Sequence, residues 1–242
     1  MSDGGTLLQL DGVHTHIGRY HILHGVDLEI RRGRLTMLLG RNGAGKTTTL
    51  RTIMGLWRRS AGTIRFDGQP IGGLATPDIA RLGIAYVPET MGIFTQLTVR
   101  ENLLLATGPA GFDGARLAEV VGLFPALREK WAIAAGALSG GQKQMLAIGR
   151  AIVEQRRLLI VDEPTKGLAP AIIQHLIDAF LRLKATTTIL LVEQNFHMAR
   201  SVGDDVAVMD DGRVVHTGAM ADLAADEARQ QHLLGLSLAS HQ

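Results

Sequence analysis

Gly40-Arg41-Asn42-Gly43-Ala44-Gly45-Lys46-Thr47 is the stretch that decides the fold. A glycine, four residues and then Gly-Lys-Thr is the spacing of a loop that wraps a phosphate. Its glycines let successive backbone N–H groups turn toward one anion with no Cβ in the way. A helix behind the loop adds the partial positive charge of its N-terminus. Lys46 can reach the β- and γ-phosphates of a nucleotide, and the Thr47 hydroxyl can ligate magnesium. A glycine-rich turn with a chance lysine is the plain alternative. The flanks argue against it: residues 35–39 are a short apolar run ending at Gly40, and residues 47–56 place Leu50, Ile53, Met54 and Trp57 at helical spacing.

Working outward, strands are expected at 7–13, 26–30, 63–66, 84–87, 158–161 and 188–192, and helices at 171–183 and 196–202. Residues 99–153 are mostly helical in pattern, broken at 108–111 and 136–141. Residues 206–209 and 213–216 flank Asp210-Asp211-Gly212 as a hairpin, and two short helical patterns follow over 220–236. Strands alternating with helices predict an α/β fold with a parallel sheet, plus an antiparallel piece near the ends. The helical block reads as an inserted subdomain. The segment beyond Thr217 is too short for an added regulatory domain.

Composition agrees with one domain carrying subdomains, or at most two domains, for 242 residues. Hydrophobic residues make up 46% and aromatics 4%, which suits an aliphatic α/β core. A net charge of +2 gives no electrostatic case for nucleic acid. The chain has no cysteine, which excludes disulfides and thiolate metal sites and is compatible with a reducing compartment. Residues 1–6 do not read as a signal peptide, and no apolar run approaches the roughly 20 residues that span a bilayer.

Two further stretches complete the chemistry. Leu158-Leu159-Ile160-Val161-Asp162-Glu163 is an apolar strand ending in two carboxylates. Asp162 is expected to hold the magnesium, directly or through water, and Glu163 to polarise the attacking water. A solvated acidic pair is the bland alternative. In Leu138-Ser139-Gly140-Gly141-Gln142, Ser139 is an ordinary N-cap and the glycines an ordinary loop when taken alone. The same serine and the Gly140 and Gly141 amides also form a second anion-binding helix start. Met145, Ile148 and Ile152 anchor the helix behind it.

Together these motifs resemble the ATP-binding cassette family over nearly the whole chain. Residues 40–48, through Thr48, match its Walker A motif; 138–142 match its signature motif; 160–165 match its Walker B motif. The resemblance implies a P-loop NTPase (RecA-like) core, an antiparallel β subdomain and an α-helical subdomain at about 99–152, within a single nucleotide-binding domain over 1–242. It implies ATP and Mg2+ as ligands. Two cassettes would meet head to tail, so that Ser139, Gly141 and Gln142 serve the partner's nucleotide. Val87-Pro88-Glu89, residues 97–103, Gly167-Leu168-Ala169-Pro170 and Val192-Glu193-Gln194-Asn195 resemble one ATPase subunit of branched-chain amino acid importers, with urea and amide importers as close relatives. That implies a second, different cassette, two membrane permeases, an external substrate-binding protein and a peripheral place on the cytoplasmic face of the inner membrane. A soluble cassette of nucleic-acid maintenance or translation is the competing class. Such proteins carry two cassettes per chain or a long coiled-coil insertion, and neither is present; nor is an aromatic-rich basic face.

Four positions depart from the family pattern. Glu89 stands where most of the family has the glutamine that contacts magnesium and couples to the permease; its carboxylate can still ligate a hard cation beside Thr47 and Asp162, while adding negative charge next to the phosphates. Pro170 replaces an aspartate that bridges subunits. Gln194 replaces a histidine on the γ-phosphate; its amide can donate a hydrogen bond but not supply a cation. Ile17 replaces the aromatic that stacks on adenine, with Tyr20 or His16 as possible substitutes. Residues 90–94 and Gln96 are expected near the groove where a permease helix docks. His14, His16, His21 and His24 are read as lying on a strand, a turn and the next element, not as metal ligands. Arg58 and Arg59 are read as solvated helix-end charges. Either these departures are neutral, or this chain's own site hydrolyses more slowly than its partner's. On the second alternative Gln194→His raises the hydrolysis rate of the assembled complex; an unchanged rate removes it.

Overall fold

The computed structural model describes residues 5–235. The expected features at 1–4 and at 236 lie outside them. β1 (Thr6–Ile17) and β2 (Tyr20–Arg31) form a bulged antiparallel hairpin. β3 (Leu35–Gly40) leads through the glycine-rich loop into α1 (Lys46–Ile53). β4 (Arg59–Phe66), β5 (Gln69–Pro70), α2 (Thr76–Arg81) and β6 (Ile84–Val87) follow. Helices α3 (Val99–Leu104), α4 (Gly114–Leu123), α5 (Pro125–Glu129) and α6 (Gly140–Ile152) come next. The chain then alternates through β7 (Leu158–Asp162), α7 (Pro170–Leu183), β8 (Thr188–Val192), α8 (Phe196–Val202) and β9 (Asp205–Asp210), and ends with β10 (Arg213–Ala219), α9 (Met220–Ala225) and α10 (Glu227–Leu234).

Two sheets share the core. The larger runs β10-β9-β3-β8-β7-β6 and is parallel except for the β9–β10 pair. The smaller is antiparallel, in the order β2-β1-β4-β5. Every residue of β3, β7 and β8 is buried, which is why these strands read as continuous apolar runs. Their side chains alternate between two clusters. Met37, Leu39, Leu159, Val161 and Leu191 pack with the helices, whereas Leu38, Leu158, Ile160 and Leu190 pack with Leu10, Val26 and Ile64 of the antiparallel sheet.

The structure departs from the sequence expectations in four places. Strands expected at 7–13 and 26–30 extend to the hairpin tip, where His14 pairs with His24 and His16 with His21. Polar side chains there hide the apolar alternation while the backbone still pairs. The helix expected at 47–56 stops at Ile53, because Gly55 takes φ 69° and a Cβ there would lie 2.8 Å from the Leu74 carbonyl oxygen. Arg59 is therefore not a helix-end charge: it opens β4, is half-buried, and donates Nη1 to the Gly62 carbonyl at 2.8 Å. Gly140 and Gly141 belong to the first turn of α6 rather than to a break.

Arg34 donates Nε (2.6 Å) and Nη2 (2.8 Å) to Asp205, which Arg31 of β2 also grips, so one carboxylate ties the two sheets together. Burial works against ionisation of Asp205, but the Arg34 and Arg31 hydrogen bonds outweigh it and hold the carboxyl below its usual range. Replacing Asp205 by alanine removes the carboxylate that both guanidinium groups share, leaving Arg34 only its 3.3 Å bond to the Asp204 carbonyl, and should cost about 1–3 kcal/mol in urea unfolding at neutral pH.

Candidate functional site

The parallel sheet delivers its carboxyl ends to one edge, the usual place for a ligand in such folds. β3 ends in the phosphate loop, β7 ends at Asp162-Glu163, and β8, between them, ends at Glu193-Gln194. Glycine is required at two loop positions. Gly40 has φ 145°, with a hypothetical Cβ 2.3 Å from the Met209 carbonyl oxygen; Gly45 has φ 102°, with a Cβ 2.9 Å from Leu23. Gly45 is also the N-cap of α1 and offers no side chain to its first turn, so the helix start is left open to an anion.

Lys46 is 5% exposed, and its ammonium donates to the carbonyls of Gly40 (2.8 Å) and Arg41 (3.1 Å). It lies 3.7 Å from Glu163 Oε1. Burial pulls its pKa down, opposed by the Glu163 and Asp162 charges. Thr47 Oγ1 donates to Asp162 Oδ1 at 3.2 Å. Two hard oxygen donors side by side suit a small divalent cation that keeps most of its water. Asp162 is 1% exposed, and its carboxyl is pushed up chiefly by burial, with Glu163 and Glu89 adding like charge. Tyr86 Oη donates to its other oxygen at 3.4 Å, and burial raises that phenol to about 12.

Glu163 is held at φ 47°, a left-handed conformation uncommon for a residue with a side chain. This turn resolves the expectation that consecutive carboxylates face one site despite strand alternation. Gln194 Nε2 is 2.6 Å from Glu163 Oε1 and 2.7 Å from Asn42 Oδ1, so its amide joins the glycine-rich loop to the carboxylate after β7. Arg41, Asn42 and Gly43 are exposed on the loop, Ala44 is buried, and Thr48 is half-buried in the first turn of α1.

Other expected residues lie elsewhere. Glu89 makes no hydrogen bond with Thr47 or Asp162: it accepts one from Lys166 at 2.5 Å, while lying close enough to add like charge to Asp162. Ser139 and Gln142 close a capping box on each other, Gln142 N donating to Ser139 Oγ (3.3 Å) and Ser139 N to Gln142 Oε1 (3.0 Å). Gly141 is buried with a hypothetical Cβ 2.7 Å from Ile172, so its lack of a side chain lets α6 pack on α7. Among the described residues no hydrogen bond or ion pair joins Ser139 or Gln142 to residues 40–48. Pro170 is the first residue of α7, where its fixed φ fits.

Ile17 is half-buried at the hairpin tip. Tyr20 is 61% exposed, with the Arg19 guanidinium 5.4 Å from its ring. His16 stacks on His21 at 4.1 Å and reaches Ser60 Oγ at 3.0 Å. The four histidines stand on two paired strands rather than on three elements, with His14 Nδ1 3.0 Å from His21 Nε2 and His24 tilted against His21 at 4.2 Å.

Glu193, quoted above only as part of a subfamily stretch, was given no role of its own from the sequence. It is 2% exposed and accepts from Thr165 N (3.0 Å), Thr165 Oγ1 (2.9 Å), Gln194 N (3.1 Å) and Asn195 N (3.2 Å). It thereby fixes the 163–165 turn to the 193–195 loop. A carboxylate directly after a largely apolar, fully buried strand was the available signal.

Motif, sheet order and strand-end carboxylates define a phosphate-loop ATPase cassette. Residues 23–166 match the family described as "ABC transporter", and the chain belongs to that family as an ATP-binding, ATP-hydrolysing transport subunit. The chain is 40% identical over 233 residues to the high-affinity branched-chain amino acid transport ATP-binding protein BraG of Pseudomonas aeruginosa, covering 95% of this chain and 100% of that one. It is 36% identical to a probable branched-chain amino acid transport ATP-binding protein LivF of Archaeoglobus fulgidus, covering 89% and 93%. It is 37% identical to Nod factor export ATP-binding protein I of Paraburkholderia xenovorans, covering 91% and 73%. Among solved structures, a nucleotide-free ATP-binding cassette superposes with a TM-score of 0.82 at 23% identity, covering 96% and 100%. An "ATP binding subunit of ABC transporter" gives 0.80 at 31%, covering 96% of each chain.

Burial raises the Glu193 carboxyl above its ordinary 4.5, against the pull of its four donors. Stability from this group is complete below the ordinary carboxylate range and is lost as pH rises through the raised value. Urea unfolding of wild type and Glu193→Gln from pH 4 to 8 should show wild type losing ground to the variant as pH rises. Parallel curves would place the proton elsewhere.

Proposed function

We propose that this chain is the ATP-hydrolysing subunit of an importer for branched-chain amino acids, working on Mg2+-bound ATP in a head-to-tail pair of cassettes. The observation that carries the catalytic half is the convergence of Lys46, Thr47, Asp162, Glu163 and Gln194 at the ends of three adjacent strands. The cargo half rests on the end-to-end likeness to BraG; the exporter relative is spanned over 73% of its length.

Each group has a distinct task. The loop amides and Lys46 bind the β- and γ-phosphates. Thr47 and Asp162 hold Mg2+, whose chemistry is to neutralise charge on the phosphate oxygens. Glu163 accepts the hydrogen bond of the attacking water and orients it. Gln194, already on Glu163, steers that carboxylate. Ser139 and the first amides of α6 cap the partner's nucleotide, and the partner does the same here. Ile17 gives adenine an apolar contact.

Next to the site lies a groove of about 670 Å³ walled by Leu56, Trp57, Tyr86, Met91, Gly92 and Arg150. Phe94, 49% exposed, lies 4.9 Å from the Arg150 guanidinium. This groove, reached by the loop that begins at Glu89, supports docking of a membrane permease helix. No helix among the described residues is long and apolar enough to cross a membrane. The likeness to transport ATP-binding proteins supports peripheral attachment at the cytoplasmic face through two permeases, with a second, different cassette and an external binding protein in the complex.

Lys46→Ala should weaken ATP binding by at least about tenfold, whereas Glu163→Gln should keep binding, lower kcat by about 10²-fold or more, and accumulate an ATP-bound cassette pair in size-exclusion chromatography. Unchanged affinity in the first, or unchanged turnover in the second, contradicts the assignment. Uptake by the co-expressed complex, competed with leucine, urea and short amides, tests the cargo.

A further inference from the structure

Lys166 belongs to no motif, yet it stands between two carboxylates of the site. Its ammonium lies 2.5 Å from Glu89 Oε1 and 3.9 Å from Glu163 Oε2. Glu89 follows β6, and Lys166 closes the turn that begins at Glu163, where Lys166 N donates to the Glu163 carbonyl at 3.3 Å. The pair thus ties the loop leading to the groove to the turn that aims Glu163.

Charge balance makes this contact consequential. Asp162, Glu163 and Glu89 bring three carboxylates to one edge, and the phosphates of ATP add more negative charge. Lys46 is committed to the loop carbonyls and to Glu163. Glu193 is satisfied by its own four donors. That leaves Glu89, which adds to the like charge felt by Asp162, with Lys166 as its counter-charge. Resting on the ATPase assignment above, we propose that Lys166 is a positioning residue. It neutralises Glu89 and ties that carboxylate to the turn after Glu163, so that a glutamate is tolerated at this place.

An ordinary exposed ion pair predicts something different: Lys166 is 63% and Glu89 38% exposed, and such pairs contribute little to stability. A double-mutant cycle separates the two. Lys166→Met, Glu89→Gln and the double variant, as full chains, are compared for affinity toward a fluorescent ATP analogue with Mg2+ and, in the assembled complex, for kcat and KM. Lys166→Met in the wild-type background should weaken analogue binding by about fivefold and lower kcat/KM at least as much. Lys166→Arg should restore most of the loss. With Glu89 already neutral, adding Lys166→Met should change either quantity by less than about twofold. Equal losses in both backgrounds, or no loss in wild type, overturn the proposal. Glu163→Gln, run alongside, keeps the two questions apart. If it hydrolyses ATP normally the catalytic assignment fails, whereas a null cycle with inactive Glu163→Gln removes only the role given to Lys166.

Discussion

A buried ammonium group organises the working end of this molecule. Lys46 is almost sealed from solvent, and such a cation is stable only while carbonyls or anions surround it. The Gly40 and Arg41 carbonyls and Glu163 do so here. Those carbonyls are available only because Gly40 takes a conformation with no room for a Cβ beside Met209. Met209 in turn belongs to β9, which pairs with β3. The loop is therefore shaped by the sheet, and the sheet's parallel order decides which strand ends the ammonium can see.

The same economy of charge runs through the neighbouring groups. Asp162 is pushed toward its neutral form by burial, and the Thr47 and Tyr86 hydroxyls only partly offset that. A divalent cation between Asp162 and Thr47 would reverse the balance, since it favours the carboxylate that burial opposes. Glu163 is turned through a left-handed residue toward Lys46 and Gln194. Strain at this position is held by the Glu163 N to Val192 carbonyl bond (3.0 Å) on one side and by Glu193 gripping Thr165 on the other. Such over-determination is what allows a costly backbone conformation to persist.

Much of this was legible in the sequence where local rules and tertiary packing agree. The buried strands β3, β7 and β8 read as apolar runs because both faces of the sheet are covered. The strand–loop–helix around 40–46, the carboxylates at the end of β7 and the cap at Ser139 were legible because their geometry is set within a few residues. What stayed hidden depended on distant partners. The hairpin extension is invisible in a histidine-rich stretch whose pairing is purely backbone. Arg59 belongs to a strand because Gly55 ends the helix against the Leu74 carbonyl, a contact no window of sequence contains. Gly141 reads as a ligand-loop glycine, yet its missing side chain is accounted for by Ile172 of α7.

Glu89 shows how a departure from a family pattern should be weighed. Judged alone, an acid in place of an amide beside phosphates is unfavourable, because like charges in a partly desolvated site repel. Judged with its neighbour, the cost falls: the lysine at 166 returns the local charge to what an amide at 89 and an uncharged residue at 166 would give. The two positions are 77 residues apart and share no motif. They meet because β6 and β7 are adjacent parallel strands, so residues just past their carboxyl ends are neighbours whatever their separation in the chain. A substitution at the end of one strand is then best interpreted against the ends of the strands beside it.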